Sequence, residues 1–413
     1  MKKTILVIYL LLSVLLTYGE STNFQFRHYS VENGLSSNAV RSMIQDKNGF
    51  IWFGTDEGLN RYDGITIKKY RYNNNLMDQY VCCLYDSGDH IWVGTYRGVY
   101  LYDYVTESFT LLNARTRNHV AIRTNVNHIT SDKEGNIWVA TMEQGLFRYS
   151  PQRHQLEQYD FRQINGRVSH VMIDSDNQIW AVTNWGTPSV WKLNKARNRF
   201  MPVEMTGHSA KDYMSLTMTE DSEGNIWLGK WDHGLMKIDK TGKSETYLTC
   251  GIGSASHIHS IIEYAPHILL IGCDDGLILL NTITKLTQTY TEEETNPFSL
   301  SNRFVYPVLK DREGGIWIGT FYGGVNYVAP NAGRFEGFGY SKIHNSVKGN
   351  VINRFCEDGN GDIWIASDDG GLNRYSPSTG QFTNYMPHKG TNSISYHNVH
   401  ALCMDGDQLW IGT

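Results

Sequence analysis

One short string recurs through the chain and limits what it can fold into. Ile51-Trp52-Phe53-Gly54-Thr55 returns as Ile91-Trp92, Ile137-Trp138, Ile179-Trp180, Ile226-Trp227, Ile316-Trp317, Ile363-Trp364 and Leu409-Trp410. One copy, Leu269-Leu270-Ile271-Gly272, carries Leu where Trp is expected. The Trp-equivalent positions are 52, 92, 138, 180, 227, 270, 317, 364 and 410, with spacings between 40 and 47 residues. A single copy is too short to bury its own Trp. A fixed period of this length instead means stacked supersecondary units that share a core.

Each unit reads as four short strands, the pattern of a propeller blade. In the first, strand A covers 40–45, B 51–54, C 59–62 and D 65–70. Asp46-Lys47-Asn48-Gly49 supplies the A–B turn, because Asp bonds its own backbone two residues on and Gly accepts positive φ. The turn returns at 132–135, 221–224, 311–314 and 358–361. Later D strands are expected over 109–112, 156–159, 246–248, 287–290 and 382–385. A polar loop before strand A repeats at 34–38, 299–302 and 393–395. Two units depart from the pattern: the fourth has an insertion at 185–190, and the sixth replaces the A–B turn with Glu263-Tyr264-Ala265-Pro266.

The repeat count sets the domains. A lone D-like strand at 24–29 precedes the first unit, and in a closed ring such a strand completes the last blade and removes a free edge. Seven units, Trp52 to Trp317, then make one ring. Pro330-Asn331-Ala332-Gly333 breaks the pattern, and 335–340 resembles 24–29. The expected fold is all-β: a seven-bladed β-propeller over 20–332, then the first blades of a second, truncated propeller over 333–413. A single nine-blade ring exceeds the usual four to eight.

Residues 1–19 read as a signal peptide: Lys2 and Lys3, an apolar stretch over 5–18, then Gly19. The apolar stretch is shorter than the roughly 20 residues of a membrane span. Net charge is −5, so no basic footprint points to nucleic acid. The six Cys form no CxxC pair, and nothing calls for a cofactor. Cys356 and Cys403 fall at one repeat position and are expected to be small buried free thiols.

The string Asn33-Gly34-Leu35-Ser36, with Asp46 to Thr55 and Gly58-Leu59-Asn60-Arg61-Tyr62-Asp63, resembles the two-component regulator propeller repeat over about 24–413. The resemblance implies the periplasmic sensor of a hybrid two-component regulator, with paired seven-blade propellers that detect glycan fragments. The parent would be a homodimeric histidine kinase anchored in the inner membrane. This chain holds none of the downstream sensor, membrane, kinase or DNA-binding parts, so it is expected to be a fragment, without enzymatic activity or nucleic-acid binding of its own.

The repeated residues are scaffold, so ligand-binding residues are sought where the repeat varies. The B–C loops share a face with the D–A loops around the propeller axis. They carry Tyr96 and Arg97, Trp185, Trp231, Asp232 and His233, and Phe321 and Tyr322. Flat rings beside charged groups suit an oligosaccharide, with its apolar face and hydroxyl edges. His257 and His259 lie two apart on one strand, but catalytic zinc takes three protein ligands and no third is identifiable, so they are expected to be structural or solvent-facing. A glycan hydrolase or lyase is the alternative. Asp56, Glu57, Glu143, Asp232, Asp274 and Asp275 offer carboxylates, and a glycosidase needs a spaced pair. A protein-interaction propeller is the third reading.

Overall fold

The computed structural model describes residues 24–70, 76, 80–161, 166–186, 188–205, 214–232, 234–248, 257–294, 296–330, 337–338, 345–390 and 392–413. The expected signal peptide, His233, Cys250 and most of the strand expected at 335–340 lie outside the described residues. Apart from one 3-10 turn, Val31–Asn33, the regular structure among the described residues is strand.

Seven four-stranded antiparallel sheets make up one compact unit, Phe26–Glu292 with Leu300–Pro330. Their A strands are Val40–Gln45, Val81–Asp86, Val126–Ser131, Val168–Ile173, Ser215–Glu220, Ile258–Ala265 and Val305–Lys310. Each A strand packs on the A strand before and after it, and the seventh packs on the first, so the sheets close into a ring as propeller blades. The closure is made as the repeat pattern suggests. Arg27–Tyr29 pairs antiparallel with Val325–Tyr327 on strand C of blade 7. The paired stretch is shorter than the expected 24–29; Phe26 instead packs edge-on against Tyr290, ring centres 5.8 Å apart.

The repeat has a physical reason. Within the ring each B-strand Trp is buried between blades, and its indole N–H needs an acceptor there. In blade 2 the Ser87 hydroxyl accepts from Trp92 Nε1 at 3.2 Å, and in the other Trp-bearing blades of the ring the Asp that opens the A–B turn accepts. Trp52 Nε1 donates to Asp46 Oδ2 at 2.8 Å, Trp138 to Asp132 at 2.9 Å, Trp180 to Asp174 at 2.7 Å and Trp227 to Asp221 at 2.7 Å. Trp317 and Trp364 repeat the bond with Asp311 and Asp358. The other carboxylate oxygen takes turn N–H groups, as Asp46 Oδ1 does from Asn48 and Phe50. In blade 6 the Asp and the Trp are lost together, which is why Glu263-Tyr264-Ala265-Pro266 accompanies Leu270. There strand A runs on to Ala265, and His267 turns the chain at φ 65°.

Two local expectations need correction. Strand D of blade 1 begins at Ile67, not 65, because Asp63 accepts from the N–H groups of Ile65 and Thr66 and holds both in the turn. Cys356 and Cys403 are free, but Cys356 is only half-buried and Cys403 is exposed.

Both lie in the second unit, which includes Asn331–Thr413. It holds one four-stranded sheet (Val351–Glu357, Ile363–Asp368, Gly371–Ser376, Gln381–Tyr385) and a hairpin (Ala401–Asp405, Gln408–Gly412). Among the described residues the hairpin has no third strand to deepen its core, which leaves Cys403 open to solvent.

Candidate functional site

Every A strand of the ring has a register shift at the same place, just after its first residue. The shift leaves one residue out of the ladder, as a bulge does, and re-aims its side chain. The bulged positions are Arg41, Cys82, Asn127, Ser169, Leu216 and His259, with Tyr306 and Pro307 sharing the shift in blade 7. Each lies eleven residues before the repeat Trp, or ten in blade 2. Beside it stands the residue that follows strand B: Asp56, Tyr96, Met142, Asn184, Trp231, Asp274 and Phe321. A third position precedes strand A, and backbone bonds tie it to the second. Tyr96 N donates to Tyr80 O, Trp231 N to Met214 O and Phe321 N to Phe304 O. The scaffold therefore repeats while these three positions vary from blade to blade.

From blade 5 round to blade 2 the variable side chains form a continuous belt. The Trp231 ring lies 3.9 Å from that of His257. His257 Nδ1 sits 2.5 Å from Asp274 Oδ2, its Nε2 is 3.4 Å from Asp232, and His259 Nε2 is 2.8 Å from Asp274 Oδ1. His259 stacks on Tyr306 at 3.9 Å, and Tyr306 lies 5.4 Å from Phe321. The Arg41 guanidinium sits 4.5 Å from the Phe321 ring and 5.3 Å from the rings of both Tyr306 and Tyr80. It grips Asp56 in a fork, at 2.7 and 3.2 Å. Tyr80 meets Tyr96 edge-on at 5.7 Å and ends the belt. Phe304, Phe321 and Tyr322 cluster above blade 7.

Two of the charges in this belt, Asp274 and Arg41, are held ionised by their partners. Burial would push the Asp274 carboxyl up, but its bonds to His259 and His257 outweigh that and bring it below its ordinary value. Burial likewise works against the Arg41 cation, and Asp56 overrides it and raises it. A glycosidase acid needs the opposite, a carboxyl kept protonated near neutrality. The belt instead offers aromatic faces alternating with fixed hydrogen-bonding groups.

The expected site residues divide on this geometry. Tyr96, Trp231, Phe321 and Tyr322 belong to the belt, and Asp232 reaches it through His257. Trp185 stands apart, with Arg167 5.3 Å from its ring. Arg97 faces a separate pocket, and His233 lies outside the described residues. Sequence reading missed Arg41, Tyr80 and Tyr306, and treated His257 and His259 as structural or solvent-facing. For Arg41, His259 and Tyr306 the signal was available as the position eleven before the repeat Trp, or before Leu270 in blade 6, where the chemistry changes while its surroundings do not.

Segments 34–57, 299–322 and 346–369 match the two component regulator propeller family. These three segments resemble the two-component regulator propeller repeat. Over 54 residues, 13% of this chain and 4% of the relative, it is 44% identical to histidine kinase P4 of Formosa agariphila. Its fold is similar to the extracellular domain of the putative hybrid two component system BT3049 from B. thetaiotaomicron. That likeness has TM-score 0.65 and 24% identity, over 95% of this chain and 52% of that one. It is also similar to virginiamycin B lyase from Staphylococcus aureus, at TM-score 0.59 and 14% identity, over 75% of this chain and 100% of the lyase. The chain thus spans about half the length of the hybrid-system domain and a small part of the kinase.

Each matched regulator-propeller repeat contains both a bulged position and the position four after its Trp, and the two meet differently in each. Arg41 pairs with Asp56, Tyr306 lies against Phe321, and Asn353 donates to Asp368 at 2.8 Å. The matched repeats also share a buried Asn on strand C that fixes the preceding loop. Ser36 N donates to Asn60 Oδ1 and Ser301 N to Asn326 Oδ1, both at 2.9 Å.

Proposed function

We propose that this chain is the periplasmic ligand-binding part of a two-component regulator, and that the belt from Trp231 to Tyr96 takes an oligosaccharide. The observation that carries this reading is the placement of stacked rings and paired ions at the positions the regulator-propeller scaffold leaves free to vary. Stacking on Trp231 and Tyr322 would bind sugar faces. Asp232, His257, Arg41 and Asp56 would take hydroxyls, and their mutual bonds hold them in place before the ligand arrives, which limits the ordering cost of binding. The kinase that would report binding, the membrane anchor and a homodimeric arrangement belong to a longer parent protein.

The test is calorimetric titration of the chain with a panel of plant and algal oligosaccharides, with chromatography of the sugar afterwards. Binding without new products is expected. Release of shorter or unsaturated sugars would replace this reading with a glycan hydrolase or lyase. Absence of binding across the panel would leave the belt as a protein-docking face.

A further inference from the structure

Beyond the end of the belt, between blades 2 and 3, lies a pocket of about 640 Å³ lined by Arg97, Leu111, Leu112, Asn113, Arg115, Ala121, Ile122 and Arg123. Three of its eight lining residues are arginines and none is acidic, in a chain whose net charge is −5. Among the described residues, none of these guanidinium groups is paired with a carboxylate. The pocket is also built rather than draped. Gly98, at φ +140°, has the Ile122 carbonyl oxygen 3.0 Å from where a Cβ would stand, so the loop before strand A of blade 3 lies directly on the blade 2 B–C turn. That approach brings their neighbours Arg97 and Arg123 to one rim. Gln144 pins the loop from the other side: it accepts from Arg123 N at 3.0 Å and donates to Ala121 O at 3.2 Å. Within the loop, Thr116 N donates to Val120 O at 2.8 Å and His119 N to Thr116 O at 2.9 Å.

We infer that this pocket is an anion subsite that receives a carboxylate or sulfate group carried by a sugar. Three arginines border one opening, with Arg115 shared with the adjoining pocket that holds Glu143, Glu157 and Asp160, and guanidinium forks match planar or tetrahedral oxyanions. Leu111, Leu112 and Ile122 give the apolar surface a sugar ring needs, and the volume suits a small ligand. Arg97 follows Tyr96 directly, so a saccharide on the belt can place an acidic substituent here. The inference rests on the oligosaccharide reading and narrows it to acidic glycans.

The test compares binding of three probes to the full chain: trigalacturonate, a sulfated galactose disaccharide, and neutral galactotriose, with inorganic sulfate as a fourth titrant. At least one acidic probe is expected to bind more tightly than the neutral one and to weaken as salt rises. Arg97→Ala and Arg123→Ala should each lower that affinity about ten- to hundredfold, the loss expected for a charge-assisted hydrogen bond, with unchanged melts because both side chains are exposed. The trigalacturonate and sulfated arms separate the two sources of charge. Equal affinity for acidic and neutral probes, indifference to both arginine variants, no binding of either acidic probe, or inorganic sulfate binding as tightly as the sugars would each overturn the inference. Failure of the belt reading looks different. Then Trp231→Ala and Tyr322→Ala leave acidic binding intact while the arginine variants abolish it. If instead only the aromatic variants weaken a neutral probe, the belt stands and the anion subsite falls.

Discussion

At the scale of single residues, the repeat is a pair six positions apart rather than a lone Trp. Asp132 serves its turn and the indole of Trp138 at once, and both are buried. Trp138→Ala should cost about 3–5 kcal/mol through the cavity it leaves. Asp132→Ala should cost about 1–3 kcal/mol by stranding the indole N–H. The double variant should cost less than the sum, since the two share one bond; urea midpoints of the four proteins measure it, and strict additivity would refute the pairing. A second pair sets a pH limit. His128 and His170, the residues that follow the bulges of blades 3 and 4, stack at 3.7 Å, and His128 Nδ1 is buried without a hydrogen-bond partner. Burial favours the neutral rings, pushing His128 down to about 4 and, with the charge of His128 adding to it, His170 well below its ordinary value. Unfolded, each titrates near about 6.5. The unfolded chain therefore binds more protons in this window, and stability should fall as pH drops from 6.5 towards 4. His128→Phe keeps the aromatic face and removes one titrating group, so the fall in urea midpoint over that window should become shallower. An unchanged slope would dismiss the pair as its cause.

At the scale of elements, the ring depends on a three-residue strand. Arg27–Tyr29 reaches blade 7 only because Gly324 lets it in: the Tyr29 carbonyl oxygen lies 2.2 Å from where a Gly324 Cβ would stand, at φ +77°. Gly324→Val should therefore push the closing strand off, lower the melting temperature and open the segment around residue 30 to protease. A protected segment in that variant would contradict the account. The strands and this closure were legible in the sequence because turn chemistry, strand length and period all point to one blade pattern. The bulges were not, since a one-residue shift leaves no composition signal in a single blade and shows only when seven are aligned on their Trp. The site suffered from the same blindness. Loop aromatics such as Trp231 and Tyr322 stand out by eye, whereas Arg41 and Tyr306 sit inside strands that read as scaffold. Trp185 stands out equally and lies elsewhere, because its insertion carries it to Arg167.

At the scale of the molecule, the two units differ in how completely they bury the same repeat. In the ring, Met43 on strand A is 7% exposed and Trp52 on strand B 0%. Their counterparts in the second unit, Phe355 and Trp410, are 66% and 62% exposed. A blade hides its faces only between two neighbours, so a stack of fewer than about three repeats lacks a shared core. Among the described residues the second unit has one full sheet and a hairpin, and its buried cluster is Ala366, Leu372 and Val399. Expressed separately, residues 24–332 should unfold in one cooperative transition. Residues 337–413 should melt broadly or not at all and bind a hydrophobic dye, since Phe355, Ile352 and Trp410 offer it apolar surface. In the intact chain, Trp364 retains a partner in Tyr385, ring centres 5.6 Å apart, and its Nε1 bond to Asp358. Burial is not what holds that carboxyl below its ordinary value: the Trp364 bond leads and two turn N–H groups assist. The short piece should therefore keep local sheet signal by circular dichroism while lacking a sharp melt. A sharp, dye-free melt for residues 337–413 would show that these repeats fold without neighbours and would remove the burial argument for the ring as well.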